Sequence, residues 1–129
     1  MEVRVQTNLG IDKDFMRQAL SRMNLNGVDW SWTDLTDADL NEASLVGAIL
    51  IGAKLTRIKL KNANLRDANL VNADLSHADL SQADLSNADL SGANLTGANL
   101  TGADLSLTKL DAANLSRANL TGAILPRTL

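Results

Sequence analysis

The sequence predicts an all-β solenoid, and three observations carry that expectation. Leucine recurs at every fifth position without interruption from Leu35 to Leu125. Alanine stands two residues before most of these leucines, and the best-kept stretch reads Ala73-Asp74-Leu75-Ser76-His77, then Ala78-Asp79-Leu80-Ser81-Gln82. The residues around each leucine are those of tight turns: Asp and Asn before it, Ser, Thr, Gly and Asn after it. The register reaches back to Leu20 and Leu25, with Trp30 standing where a leucine is due.

A spacing of five excludes both regular elements. On a helix, leucines five apart drift by roughly 140° per step and form no stripe. On a flat strand an odd spacing sends successive leucines to opposite faces. A chain that bends once per pentad, with each Leu and the Ala before it turned inward, puts them all in one interior. Alternation of the smallest methyl-bearing residue with one large aliphatic suits a narrow, filled axis rather than a pore.

This pattern resembles the pentapeptide-repeat proteins, whose motif is Ala-(Asp/Asn)-Leu-x-x, over Asn24 to about Leu125. The family is numerous in cyanobacteria, and the chain is similar to its small members there. The resemblance implies a right-handed quadrilateral β-helix with four pentads per coil, hence about five coils and a rod on the order of 24 Å long at the spacing of stacked strands.

Three segments are expected: 1–23, an N-terminal segment with a capping helix; 24–125, the repeat; and 126–129, a short tail. The helix is placed at about residues 12–22, because Ile11, Phe15, Met16, Ala19, Leu20 and Met23 follow helical spacing after Asp12, a candidate N-cap. Such a lid would hide the open end of a solenoid core. At the other end Pro126 cannot donate a ladder hydrogen bond and stops the repeat. That leaves the last coil poorly covered. A monomer is expected, and a dimer through the C-terminal coil, as in some members of the resembling family, is the alternative.

Composition narrows the function. Net charge is −3 at pH 7, with no cysteine and only Phe15, Trp30 and Trp32 as aromatics. Direct nucleic-acid binding needs a positive footprint that this balance does not supply. No apolar stretch approaches membrane-spanning length, and the N-terminus has no apolar signal core, so a cytoplasmic protein is expected. His77 is the only histidine and has no second ligand type beside it; Ser76, Ser81, Ser86 and Ser91 are repeat serines with no base. No catalytic residue, metal site or cofactor is expected from a packed rod without a cleft.

Departures from the repeat are where information lies. Val46, Ile49 and Ile51 replace polar residues at outward positions, and at twenty residues per coil Val71 stacks above Ile51 with Trp32 on the same side. Lys54, Arg57, Lys59 and Lys61, continued by Arg66, make a basic band facing Asp34, Asp37, Asp39 and Asn41 one coil earlier. These two groups form the expected partner surface for a protein ligand of a non-enzymatic interaction module. The aspartates Asp67, Asp74, Asp79, Asp84, Asp89 and Asp104 carry the alternative that the resemblance implies, a DNA mimic directed at a type II topoisomerase such as gyrase. Folded at twenty residues per coil, however, they spread over all four sides.

Overall fold

A computed structural model describes residues 20–127. Each pentad contributes one short extended side and one tight corner, and its local physics is legible in a complete count of backbone donors. In the pentad Ala78–Gln82, the Ala78 N–H closes a turn onto the Leu75 carbonyl (3.0 Å). Asp79 N–H donates to Ile58 of the preceding coil (3.0 Å), while Leu80 and Gln82 donate to Asn99 and Thr101 of the next (2.7 and 2.8 Å). The fifth donor, Ser81 N–H, has no backbone partner and takes the Asp79 carboxylate (3.0 Å). A side chain that can accept from two residues ahead is what the position before each leucine requires, hence Asp or Asn.

The corner is a type II turn. Its second inner residue has positive φ at every fifth position from Arg22 (φ 63°) to Gly122 (φ 72°), for example His77 at 59°. Glycine is the low-strain choice there, and seven of these corners have it. The others hold side chains as large as Trp32 and Leu107 in left-handed backbone.

Parallel bridges pair residues twenty apart, from Asn24↔Ser44 to Asp104↔Ile124. Four pentads therefore make one coil, and the solenoid is quadrilateral. We number the coils from Leu20: coil 1 is 20–39, coil 2 is 40–59, coil 3 is 60–79, coil 4 is 80–99 and coil 5 is 100–119, with 120–127 beginning a sixth. The faces follow the bridge columns: face 1 carries Asn24, Ser44, Asn64, Asp84 and Asp104; face 2 carries Asp29, Ile49, Asn69, Asp89 and Lys109; face 3 begins at Asp34 and face 4 at Asp39. The sides are too short to be more than single bridges.

Inside, leucines and alanines form one continuous core from Leu20 to Leu105. Trp30 occupies a leucine slot and Ile58 an alanine slot, both buried. Thr108 takes another alanine slot, its hydroxyl satisfied by the Leu85 carbonyl at 2.8 Å. The burial continues to the first described leucine but fails at the other end: Leu110, Leu115 and Leu120 are half-buried and Leu125 is 44% exposed.

Residues 12–19 of the expected capping helix lie outside the described residues. Its last turn is corrected: Ser21 and Arg22 are the first corner of coil 1, tied to the next coil by Arg22 N–H on the Asn41 carbonyl (2.9 Å) and by the Arg22–Glu42 ion pair. The repeat is thus already in register at Leu20, the first described residue, ahead of the expected boundary at 24. Pro126 follows the last bridged residue, Ile124. The expectation of a rod without a cleft also needs correction, because the last described turns border an open hollow of about 820 Å³ lined by Leu107, Leu110, Ile124, Leu125 and Pro126.

Candidate interaction surface

Outward positions normally repeat Asp, Asn, Ser or Thr, since those side chains complete the turns. Face 2 breaks this in coil 2, where Ile49 stands between Asp29 below and Asn69 above. Val46 sits at the corner between faces 1 and 2, and Ile51 at the corner between faces 2 and 3, with Val71 one coil above it. All four are half-buried. Trp32 shares the corner of Ile51 and Val71, is 75% exposed, and lays its ring over Gly52: a Cβ on that glycine would lie 2.2 Å from the ring. The structure therefore brings Trp32, Val46, Ile49, Ile51 and Val71 onto one side of coils 1–3.

Loss of the acceptor before the leucine is partly made good from the coil below. With Ser44 in place of Asp or Asn, Val46 N–H takes the Asn26 Oδ1 at 2.9 Å; with Lys59, Lys61 N–H takes the Asn41 Oδ1 at 2.9 Å. The turns that follow Ser44 and Lys59 are thus closed from the coil below.

The basic residues are not gathered beside the apolar group. Lys54 is on face 3 and adjoins it, whereas Lys59 is on face 4, across the rod from Ile49, and Lys61 is at the corner beyond. Arg57 is engaged with Asp37 by two hydrogen bonds at 2.9 and 3.2 Å, and that contact raises its pKa, by the hydrogen bond first and by charge second. Lys54 and Lys59 lie between aspartates of the neighbouring coils, Asp34 and Asp74 on face 3, Asp39 and Asp79 on face 4. Alternating charge along a ladder is worth about 0.2–1 kcal/mol per exposed pair.

The aspartates mostly serve turns. Ser31 N–H and hydroxyl donate to Asp29 (3.1 and 2.8 Å) and hold its carboxyl below the usual range. Asp89 and Asp104 are lowered chiefly by the hydroxyls of Ser91 and Ser106. Burial acts to raise Asp74, but hydrogen bonds from Ser76 and Thr56, with Lys54 nearby, leave it lowered. They distribute as Asp84 and Asp104 on face 1, Asp89 on face 2, Asp74 on face 3 and Asp79 on face 4. Among the described residues no group of three His, Cys, Asp or Glu is placed to hold a metal ion, and no helix is long and apolar enough to cross a membrane.

One exposed group escaped the sequence reading. Leu107 is 77% exposed at a left-handed corner, near exposed Ile124 and Leu125. The signal was there: a leucine stands where the other coils put Gly27, Gly47, Asp67 and Asn87.

Residues 19–52, 48–87 and 88–126 match the family described as pentapeptide repeats, in 8 copies. The chain belongs to the pentapeptide-repeat family. Its fold is accordingly the right-handed quadrilateral β-helix of that family. Among solved structures it is similar to a pentapeptide repeat protein from Nostoc PCC 7120, with 38% identity over 74% of this chain and 76% of that one and a TM-score of 0.53. It is also similar to Rfr23 of the cyanobacterium Cyanothece 51142, with 31% identity, 81% and 91% coverage and a TM-score of 0.43. A pentapeptide repeat protein of the Arabidopsis thaliana thylakoid lumen matches with 35% identity, 88% and 70% coverage and a TM-score of 0.35. No curated protein matches.

Proposed function

We propose that this pentapeptide-repeat protein is a non-catalytic interaction module, a rigid rod that offers the face 2 side of coils 1–3 to a protein partner. The observation that carries the reading is the run Val46, Ile49, Ile51 and Val71 at outward positions, beside the exposed ring of Trp32. Apolar residues contribute nothing to the turn scheme there, and an exposed tryptophan framed by aliphatics is the composition of a binding anchor. Of the basic residues Lys54 and Arg66 border this side, Arg66 one coil above Val46, whereas Arg57 and Lys59 belong to the charge ladder and Lys61 lies at the corner beyond face 4, away from the surface. The topoisomerase reading has no comparable support, because its aspartates occupy all four faces and are largely committed to corners.

Affinity capture from the native cell with wild type and Ile49→Asp/Ile51→Asp tests the reading. A protein retained by wild type and lost by the variant, with the thermal melting point unchanged, supports it. Equal capture by both discards the surface.

A further inference from the structure

We propose that the partner of this surface is a second copy of the same chain, laid side by side and antiparallel, with Ile49 on the two-fold axis. The inference rests on the surface reading above and goes beyond it by naming the occupant.

The argument is one of symmetry. A two-fold contact is self-complementary: a patch must map onto itself. Set two rods face 2 to face 2 with the axis across the rods at the height of coil 2. Each corner then meets the same corner of the partner, and coil 1 meets coil 3. Val46, Ile49 and Ile51 each face their own counterpart. Trp32, in coil 1, comes to the corner of the partner that carries Val71, in coil 3. Because the Trp32 ring reaches over Gly52 of coil 2, both rings lie beside the two Ile51 side chains near the axis. Every apolar member of the group meets another apolar member.

The polar positions agree. Asp29 in coil 1 falls opposite Asn69 in coil 3, and Asn26 opposite Arg66, so no like charges are opposed. The parallel arrangement, with the axis along the rods, fails this check. It would set the Arg66 guanidinium against Val71 and Trp32 against Asn26. The contact is about three coils, or roughly 15 Å, tall, well short of a standard interface of about 800 Å² per partner. Self-pairing is therefore weak, with a dissociation constant on the order of 0.1 mM.

The chain itself shows that the test variants fold: the column of Ile49 already holds Asp29, Asp89 and Lys109. Sedimentation velocity of the full chain between about 0.01 and 2 mM should show a dimer growing with concentration for wild type. Ile49→Asp and Ile49→Lys alone should each weaken it at least tenfold, since two like charges then face each other. An equal mixture of the two should restore it. The protein lacks cysteine, so single-cysteine variants add the geometry: Ile51→Cys should form a disulfide dimer on mild oxidation, and Val71→Cys should not. A wild type that stays monomeric at 2 mM, an equal mixture that does not recover, or equal cross-linking at both positions overturns the proposal. If wild type is monomeric while Ile49→Asp/Ile51→Asp still loses a captured protein, self-pairing falls and the surface reading stands.

Discussion

The first and last coils use the same pentad and end differently. In coil 1 the inner residues Leu20, Leu25, Trp30 and Leu35 are all buried. In coil 5 and the start of the sixth, Leu110, Leu115 and Leu120 are only half-buried. Part of the difference is written in the alanine slots. Coil 1 fills them with Met23, Val28 and Thr33 before reaching Ala38, whereas the last turns have Ala113, Ala118 and Ala123. Met23 and Val28 pack on the core, as Ala113, Ala118 and Ala123 do, but a methyl group covers less apolar surface than the longer side chains.

One inner column passes through both regions: Trp30, Leu50, Leu70, Leu90 and Leu110. Removing its two ends gives the largest expected contrast. Trp30→Ala empties a closed site and should cost about 3–5 kcal/mol. Leu110→Ala, at a half-open site, leaves no enclosed cavity and should cost about 1 kcal/mol. Urea unfolding followed by circular dichroism measures both, and equal losses would show that the two ends are equally closed.

How much of this was legible follows from where the physics is local. The leucine column, Trp30 in its slot and the twenty-residue stacking of Val71 on Ile51 were readable, because they follow from period and coil length alone. Turn identity was less so: a type II corner asks for Gly or Asn, and Trp32, His77 and Leu107 stand there instead, held by the coils on either side. Ile58 and Thr108 in alanine slots give no local signal of burial, and Thr108 is tolerated only because the Leu85 carbonyl is within reach. The basic band looked continuous along the chain, but each corner turns it, so that Lys54 and Lys59 end on different faces.

Corner glycines separate the two regions by what lies over them. Gly52→Ala adds a methyl where the Trp32 ring already lies, on left-handed backbone (φ 62°). It should cost about 2 kcal/mol. Gly122, in the last turns, has the same backbone sign (φ 72°) but nearest atoms at 3.9 Å, an ordinary contact. There the cost should be the backbone alone, about 1 kcal/mol. Trp32→Ala combined with Gly52→Ala should bring the first figure down to the second. A double-mutant cycle without coupling would place the ring elsewhere.

The open end also carries avoidable strain. Leu107 has φ 58° and an exposed side chain, so Leu107→Gly should stabilise by roughly 0.5–1 kcal/mol while removing apolar surface. A lower midpoint in urea would mean that Leu107 packs against something at that end.

Acid should distinguish the regions with the least perturbation. Outward sites of coil 1 hold Asn24 and the three carboxylates Asp29, Asp34 and Asp39, whereas those of coil 5 hold one, Asp104, with Lys109, Asn114 and Asn119. Asp29 is depressed in the fold by the Ser31 N–H and hydroxyl. A depressed carboxyl contributes stability that is present above its unfolded pKa and is lost as pH falls through the folded one, here below about 4. Both tryptophans lie in coil 1, so their fluorescence reads that coil specifically. Asp29→Asn keeps the acceptor that Ser31 needs, as Asn69 does for Val71 N–H in the same column (3.1 Å). At pH 7 the variant should unfold at a slightly lower urea concentration than wild type, because the carboxylate charge that Ser31 stabilises is gone, and the two should converge in acid. Below pH 4 its fluorescence transition should move less with pH than the wild type's, because one linked proton is gone. A variant as acid-sensitive as wild type would show that the Asp29 turn does not carry the acid response of coil 1.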